Sequence, residues 1–173
     1  MGEKIIILGY MGAGKTAIGK ILAEKLAIQS FDLDDLIEDS QQKTISELFI
    51  DNGEIHFRKI EAQVVRAFLD SQNSFVLALG GGTPCYANNH ELLQREGVTS
   101  VYLKTSVDVL VDRLKSEKSN RPLIAHLSDE ELKDYINKHL FDRNFYYHHA
   151  KYVVTTDNKA PNEVAEEILR IVS

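Results

Sequence analysis

Gly9-Tyr10-Met11-Gly12-Ala13-Gly14-Lys15-Thr16 crowds three glycines, an amine and a hydroxyl into eight residues, directly after the apolar run Ile5–Leu8. The spacing Gly9-x-x-x-x-Gly14-Lys15-Thr16 fits a phosphate-binding loop. The physics is local. Glycines accept positive φ and let the backbone approach a ligand closely. Successive N–H groups, here along Gly12, Ala13, Gly14, Lys15, Thr16 and Ala17, then converge into an anion-sized nest. A helix starting at Lys15 would aim the positive end of its dipole at the same spot. In this reading Lys15 reaches the β- and γ-phosphates of ATP, and the Thr16 hydroxyl coordinates Mg²⁺. The spacing is wrong for a dinucleotide-binding G-x-G-x-x-G fingerprint.

A triphosphate needs an acceptor. Asp32-Leu33-Asp34 stands at the end of a second predicted strand, where alternate residues point to one face. One carboxylate can hold Mg²⁺ or its water, while the other accepts or orients the proton of an incoming hydroxyl. Gly80-Gly81-Gly82 follows a continuous apolar strand, and glycines there suggest close backbone approach by a ligand. Arg58 and Glu61 are three residues apart and share a helix face. A guanidinium steadied by that acid can grip a carboxylate with two hydrogen bonds, although such pairs are also common on surfaces. Phe49 and Phe57 are candidates for an apolar pocket wall or for core. Arg121, before Pro122 in the polar stretch Ser116–Leu127, is either an incidental loop cation or the charge a closing lid delivers to the phosphates. Arg143, in a long helix near Tyr146 and Tyr147, is a second carboxylate contact or an exposed helix charge. His148 and His149 are adjacent, so on a helix they diverge by about 100° and do not suit one metal.

The elements that must hold these residues alternate between apolar runs and helical patterns. Strands are predicted at Lys4–Leu8, Ser30–Asp32, Ser74–Leu79, Thr99–Leu103 and Lys151–Thr155. Helices are predicted at Lys15–Leu26, Asp34–Gln41, Thr44–Asn52, Glu54–Ser71, Asn88–Glu96, Ser106–Leu114, from Ser128 to about His149, and Pro161–Val172. Thr44-x-x-Glu47 and Ser128-x-x-Glu131 read as capping boxes, Thr105-x-x-Asp108 as another helix entry, and Pro161 suits a first turn. This order predicts a mostly parallel sheet covered on both faces, with ligands at the carboxyl ends of its strands.

Composition narrows the function classes. The 173 residues suit one domain, with 43% hydrophobic and 27% charged residues as in a soluble globular chain. A net charge of −6 without a basic run argues against nucleic acid or an acidic membrane as partner. Cys85 is the only cysteine, so neither an internal disulfide nor a cysteine zinc cluster can form. No apolar stretch approaches the ~20 residues that span a bilayer, and no signal-peptide pattern precedes Gly9. A cytoplasmic location is expected.

Taken in order, GYMGAGKT, Asp32-Leu33-Asp34, Asn52-Gly53-Glu54 with Phe57-Arg58-x-x-Glu61, Gly80-Gly81-Gly82, Arg121-Pro122-Leu123 and Arg143-x-x-x-Tyr147 resemble the shikimate kinase family over nearly the whole chain. The resemblance implies an α/β three-layer P-loop kinase fold: a five-stranded parallel sheet, a substrate-binding helical region at about 33–61 and a lid at about 115–128. It implies a monomer that uses ATP and Mg²⁺ to phosphorylate shikimate in aromatic amino-acid biosynthesis. By that likeness Asp34 contacts the acceptor hydroxyls, and Arg58, Gly80, Gly81, Gly82 and Arg143 bind the acceptor, with both arginines on its carboxylate. Thr16 and Asp32 serve Mg²⁺, Lys15 and Arg121 stabilise the transferring phosphoryl group, and Arg113 and Lys159 lie over the adenine. Three positions depart from the family pattern: Ala17 where a hydroxyl residue is common, Phe145 where proline is usual, and Lys159 where arginine is frequent.

Overall fold

The computed structural model describes residues 2–173. Strands β1 (Lys4–Leu8), β2 (Gln29–Asp32), β3 (Phe75–Ala78), β4 (Val98–Lys104) and β5 (Tyr152–Thr155) form one sheet in the order β2-β3-β1-β4-β5, parallel throughout. The flanking helices are α1 (Lys15–Leu26), α2 (Leu33–Gln41), α3 (Ile45–Leu69), α4 (Val107–Lys115), α5 (Asp129–Tyr147) and α6 (Pro161–Val172).

The central strand explains the two-sided cover. Residues 5–8 are all apolar, and alternate side chains go to opposite faces. Ile5 and Ile7 enter a core with Ile18 and Leu22 of α1 and Val164 and Ile168 of α6. Ile6 and Leu8 enter the other, with Ile37, Phe57, Leu110 and Ile136 from α2–α5. All four of these apolar side chains are fully buried. From β1 the chain runs out toward β2, whereas from the adjacent β4 it runs to β5 on the opposite edge. The connections diverge there, and a cleft opens at the carboxyl ends of the strands.

Side-chain oxygens start most of the helices. Thr44 and Ser128 make the expected capping boxes with Glu47 and Glu131. The entry to α4 differs from the expected Thr105-x-x-Asp108. Ser106 is the cap, accepting from the Val109 N–H, and the buried Thr105 hydroxyl instead bonds that of Thr156 at 2.6 Å. The predicted helix at Asn88–Glu96 is a six-residue 3₁₀ segment, Asn89–Gln94, entered through Asn88 at φ 57°. Its tighter turns let Leu93 pack into the core while its carbonyl accepts from Ser100 on β4. The polar stretch after α4 is anchored by Ile124, which is fully buried.

The two predicted helices on either side of Gly53 run together as α3, broken where Gly53 takes φ 80° and ψ 175°. That region is accessible essentially to glycine alone. A Cβ at Gly53 would meet nothing within 4 Å, so only backbone conformation opposes substitution. Gly53→Ala is therefore expected to lower the unfolding free energy by about 1–3 kcal/mol, read from the urea midpoint.

Candidate active site

Leu8 ends β1, and the loop that follows is closed by the Ala13 N–H donating to the Tyr10 carbonyl at 3.1 Å. Gly14 then takes φ 94°, a left-handed turn that delivers Lys15 into the first turn of α1. This helix starts without a side-chain cap and without an acid in its first turn. Its N–H groups and the positive end of its dipole are left to the cavity that the loop lines. The Lys15 ammonium arches back over the loop, donating to the carbonyls of Gly9 (2.6 Å) and Tyr10 (3.1 Å). Burial lowers its pKa to about 8, with Asp32 and Asp34 opposing that shift.

The cavity measures about 730 Å³. It collects most of the residues singled out by type and spacing. Gly12 through Ala17, Asp32, Asp34, Gly80, Gly81, Arg113, Arg121 and Lys159 all line it. Arg58, Gly82 and Arg143 do not; the two guanidiniums pack against the glycine loop, whose Gly80 and Gly81 form part of one wall.

The two aspartates reach the cavity by a route different from the expected one. β2 ends at Asp32, and Asp34 lies in the first turn of α2, so strand alternation does not align them. Instead the Asp32 carboxylate caps α2, one oxygen accepting from the Asp34 N–H at 3.2 Å. Its other oxygen accepts from the Thr16 hydroxyl at 2.8 Å. Hydroxyl and carboxylate oxygens so close together fit a hard divalent cation such as Mg²⁺. The Asp34 carboxyl is raised to about 6, first by burial and then by Asp32 and Glu61. Such a carboxylate is ionised at neutral pH yet basic enough to take a proton.

The glycine loop makes room for cations. A Cβ on Gly81 would lie 3.2 Å from Arg143 Nη1, and one on Gly82 only 2.8 Å from Arg58 Nη2. A Cβ on Gly80 would lie 3.5 Å from Asp34 Oδ1. The glycines thus admit protein side chains against the backbone, rather than solely a ligand. Arg58 donates to buried Glu61 at 2.9 Å, with the guanidinium stacked 4.0 Å from the Tyr86 ring. Arg143 is half-buried, not an exposed helix charge. It lies over the Tyr10 ring and beside the Tyr147 phenol, with no carboxylate partner among the described residues. Burial pushes the Tyr147 phenol up, so it stays a donor and gives its proton to the Gly81 carbonyl at 2.6 Å. Two guanidiniums thus pack against adjacent loop glycines; Arg58 has Glu61 and, at 3.7 Å, Glu54 as acid partners, while Arg143, with none among the described residues, keeps its positive charge for an anion.

The remaining cations sit around the loop of residues 9–16 and the cavity wall. Arg113 donates to the Gly12 carbonyl at 3.0 Å. Arg121 is held by Glu117 at 3.0 Å, close to the Met11 sulfur. Lys159 pairs with Glu167 at 2.7 Å and also donates to the Thr155 carbonyl, beside Pro161 and Val164 in the cavity wall. Phe57 is buried and packs on the partly exposed Phe49, their ring centres 4.5 Å apart. His148 and His149 each set Nδ1 against the carbonyl four residues back. Tyr10, Thr83, Tyr86, Pro161 and Val164 escaped sequence reasoning. Tyr10 is merely a variable position within the loop pattern, and the others carry no spacing signal.

A family model for shikimate kinase matches residues 11–173. A shikimate kinase of Flavobacterium psychrophilum is 51% identical over 170 residues, covering 98% of this chain and 99% of that one. The crystal structure of shikimate kinase from Bacteroides thetaiotaomicron superposes with a TM-score of 0.89 at 35% identity, covering 98% and 97% of the two chains. Shikimate kinase from Acinetobacter baumannii, solved in complex with shikimate, gives 0.86 at 34% identity over 99% of this chain and 93% of that one. With a parallel five-stranded P-loop fold, a family match over nearly its whole length and a relative at half identity, the chain belongs to the shikimate kinase family.

Proposed function

We propose that this protein transfers the γ-phosphoryl group of ATP to the 3-hydroxyl of shikimate, releasing ADP and shikimate 3-phosphate. The observation that carries the reading is one cavity bounded by two unlike sites: a phosphate loop on one side, and on the other a half-buried carboxylate with two guanidiniums packed against a glycine loop. Family membership supplies the identity of the acceptor. A ring bearing a carboxylate and several hydroxyls matches that polarity, the arginines taking the carboxylate and Asp34 a hydroxyl.

Each chain group has a part. The nest at residues 12–17 and the dipole of α1 hold the phosphates, and the Lys15 ammonium leaves the loop carbonyls for the β- and γ-phosphates. Thr16 and Asp32 would hold Mg²⁺, which supplies charge neutralisation of the phosphate oxygens when bound. Asp34 orients the acceptor hydroxyl and takes its proton as the new O–P bond forms and the bond to the β-phosphate bridging oxygen breaks. Residues 115–128 act as a lid that exchanges the Arg121–Glu117 pair for a contact with the phosphates and excludes water. Arg113 and Lys159, with Pro161 and Val164, flank the base.

The decisive test is ADP release with MgATP and a panel of shikimate, quinate and gluconate, with the product identified by phosphorus NMR. Shikimate-dependent ADP and a phosphorylated shikimate are expected. ADP production independent of acceptor, or driven by gluconate alone, would refute the reading. Arg58→Ala and Arg143→Ala should each raise the acceptor KM about ten- to a hundred-fold with the MgATP KM nearly unchanged.

Asp34 yields two linked expectations with opposite signs. As a base it must be ionised, so kcat/KM for the acceptor should fall as pH drops through about 6. For stability the order reverses. A folded-state pKa raised from 3.8 to about 6 means that the fold binds the proton more tightly. The contribution is favourable below the ordinary value and is lost as pH rises through about 6. Asp34→Asn should therefore nearly abolish turnover while stabilising the protein by up to about 2 kcal/mol near pH 8, with no gain near pH 3, in urea titrations.

A further inference from the structure

Arg58 is one end of a polar chain whose other members have no part in the mechanism above. Glu61 is 1% exposed and uses both carboxylate oxygens. One accepts from Arg58 Nη1 at 2.9 Å, the other from the Thr83 hydroxyl at 2.9 Å. Thr83 is fully buried, and its carbonyl accepts from the Asn89 amide at 3.0 Å. Asn89 in turn accepts from Arg66 Nη1 at 2.8 Å, and Arg66 Nη2 donates to the Ala87 carbonyl at 2.8 Å. The chain starts and ends on α3, which carries Arg58, Glu61 and Arg66. It clamps the turn from Thr83 to Asn89 between them.

That turn is strained. Ala87 and Asn88 are consecutive non-glycine residues at φ 52° and 57°. Alanine has no side-chain group to compensate such a backbone, so its surroundings must hold it there. The Arg66 bond to the Ala87 carbonyl supplies one such restraint. What the turn delivers is Tyr86, whose ring lies 4.0 Å from the Arg58 guanidinium carbon although Tyr86 itself is 38% exposed. Arg58 is thereby fixed in its plane by Glu61 and across its face by Tyr86. A planar fork held in both ways keeps its orientation for a two-pronged contact.

We infer that Thr83 and Tyr86 are positioning residues for the acceptor arginine: Thr83 orients Glu61, and Tyr86 caps the Arg58 guanidinium, so that the fork is pre-aligned for the carboxylate of the acceptor. This rests on the assignment of Arg58 to acceptor binding. Thr83 leaves Glu61 one oxygen for Arg58 by occupying the other. Loss of the Thr83 hydroxyl frees the buried carboxylate to rotate and leaves one of its oxygens without a donor.

Steady-state kinetics on purified variants of the full chain tests this. Thr83→Val, similar in shape but without the donor, should raise the acceptor KM about ten-fold while the MgATP KM stays within about two-fold. Thr83→Ser should restore the parent value. Tyr86→Leu should raise the acceptor KM about three- to ten-fold, and Tyr86→Phe, which keeps the ring face, should not. In an Arg58→Ala background neither Thr83→Val nor Tyr86→Leu should add more than about two-fold, because the group they position is gone. A merely structural role would raise both KM values and would persist without Arg58. An acceptor KM within two-fold of the parent in Thr83→Val and Tyr86→Leu, with Arg58→Ala strongly affected, overturns the inference alone. An unaffected Arg58→Ala overturns it together with the acceptor assignment. Should Thr83→Val fail to fold, the exposed Tyr86 pair decides.

Discussion

β1 has no face left for solvent. Its four apolar side chains are divided between two cores, and its backbone is paired on both edges, so chemistry can emerge only where the strand ends. Almost everything about the nucleotide side follows from that confinement. The chain must turn immediately after Leu8, the turn must be tight enough to feed α1 back onto the sheet, and the amino end of α1 is left pointing at the cleft without a cap. An uncapped helix terminus fixed to the rigid centre of a sheet is a pre-organised anion site, because its dipoles need not reorganise when phosphate arrives.

The glycine loop obeys a different constraint, a steric one. Arg58 and Arg143 come from two different helices and would repel each other in an ordinary surface. They approach one short loop because Gly81 and Gly82 have no side chains to keep them out. Arg58 is held by a carboxylate shared with Thr83 and by the more distant Glu54, whereas Arg143 lies over the Tyr10 ring without a carboxylate partner among the described residues. The same cavity raises the proton affinity of Asp34 and lowers that of Lys15 through burial. Burial that costs stability in both groups leaves a base that is not too weak and a cation that is poorly solvated, both useful at a phosphoryl-transfer site.

Local signals in the chain are legible where the physics is local. The phosphate loop, the boxes at Thr44 and Ser128, the break at Gly53 and the run of buried strands depend on neighbouring residues and on a period of two or 3.6. The parallel sheet followed from their alternation. Expectations failed where a distant partner decided the outcome. Thr105 is drawn away from the α4 entry by Thr156, 51 residues on. The segment Asn89–Gln94 tightens to 3₁₀ where Leu93 fills the core and its carbonyl meets Ser100. The aspartate pair is a local exception: Asp32, two residues before Asp34, caps the helix that carries it, so strand alternation does not set where they face.

The amino-acid sequence by itself determined that a glycine-rich loop of phosphate-binding spacing follows β1, that carboxylates and arginines stand elsewhere, and that strands and helices alternate. Hydrogen-bonding capacity, glycine freedom and apolar periodicity are properties of short stretches, so they can be read without knowing what lies opposite. Only the tertiary structure decided which cations share a loop and which carboxylate stands behind Arg58. It alone brought Thr83 against Glu61 and Tyr86 against the Arg58 guanidinium, each pair more than twenty residues apart along the chain. Such contacts arise from where two helices and a turn happen to meet over the sheet, and no spacing along the chain encodes that distance.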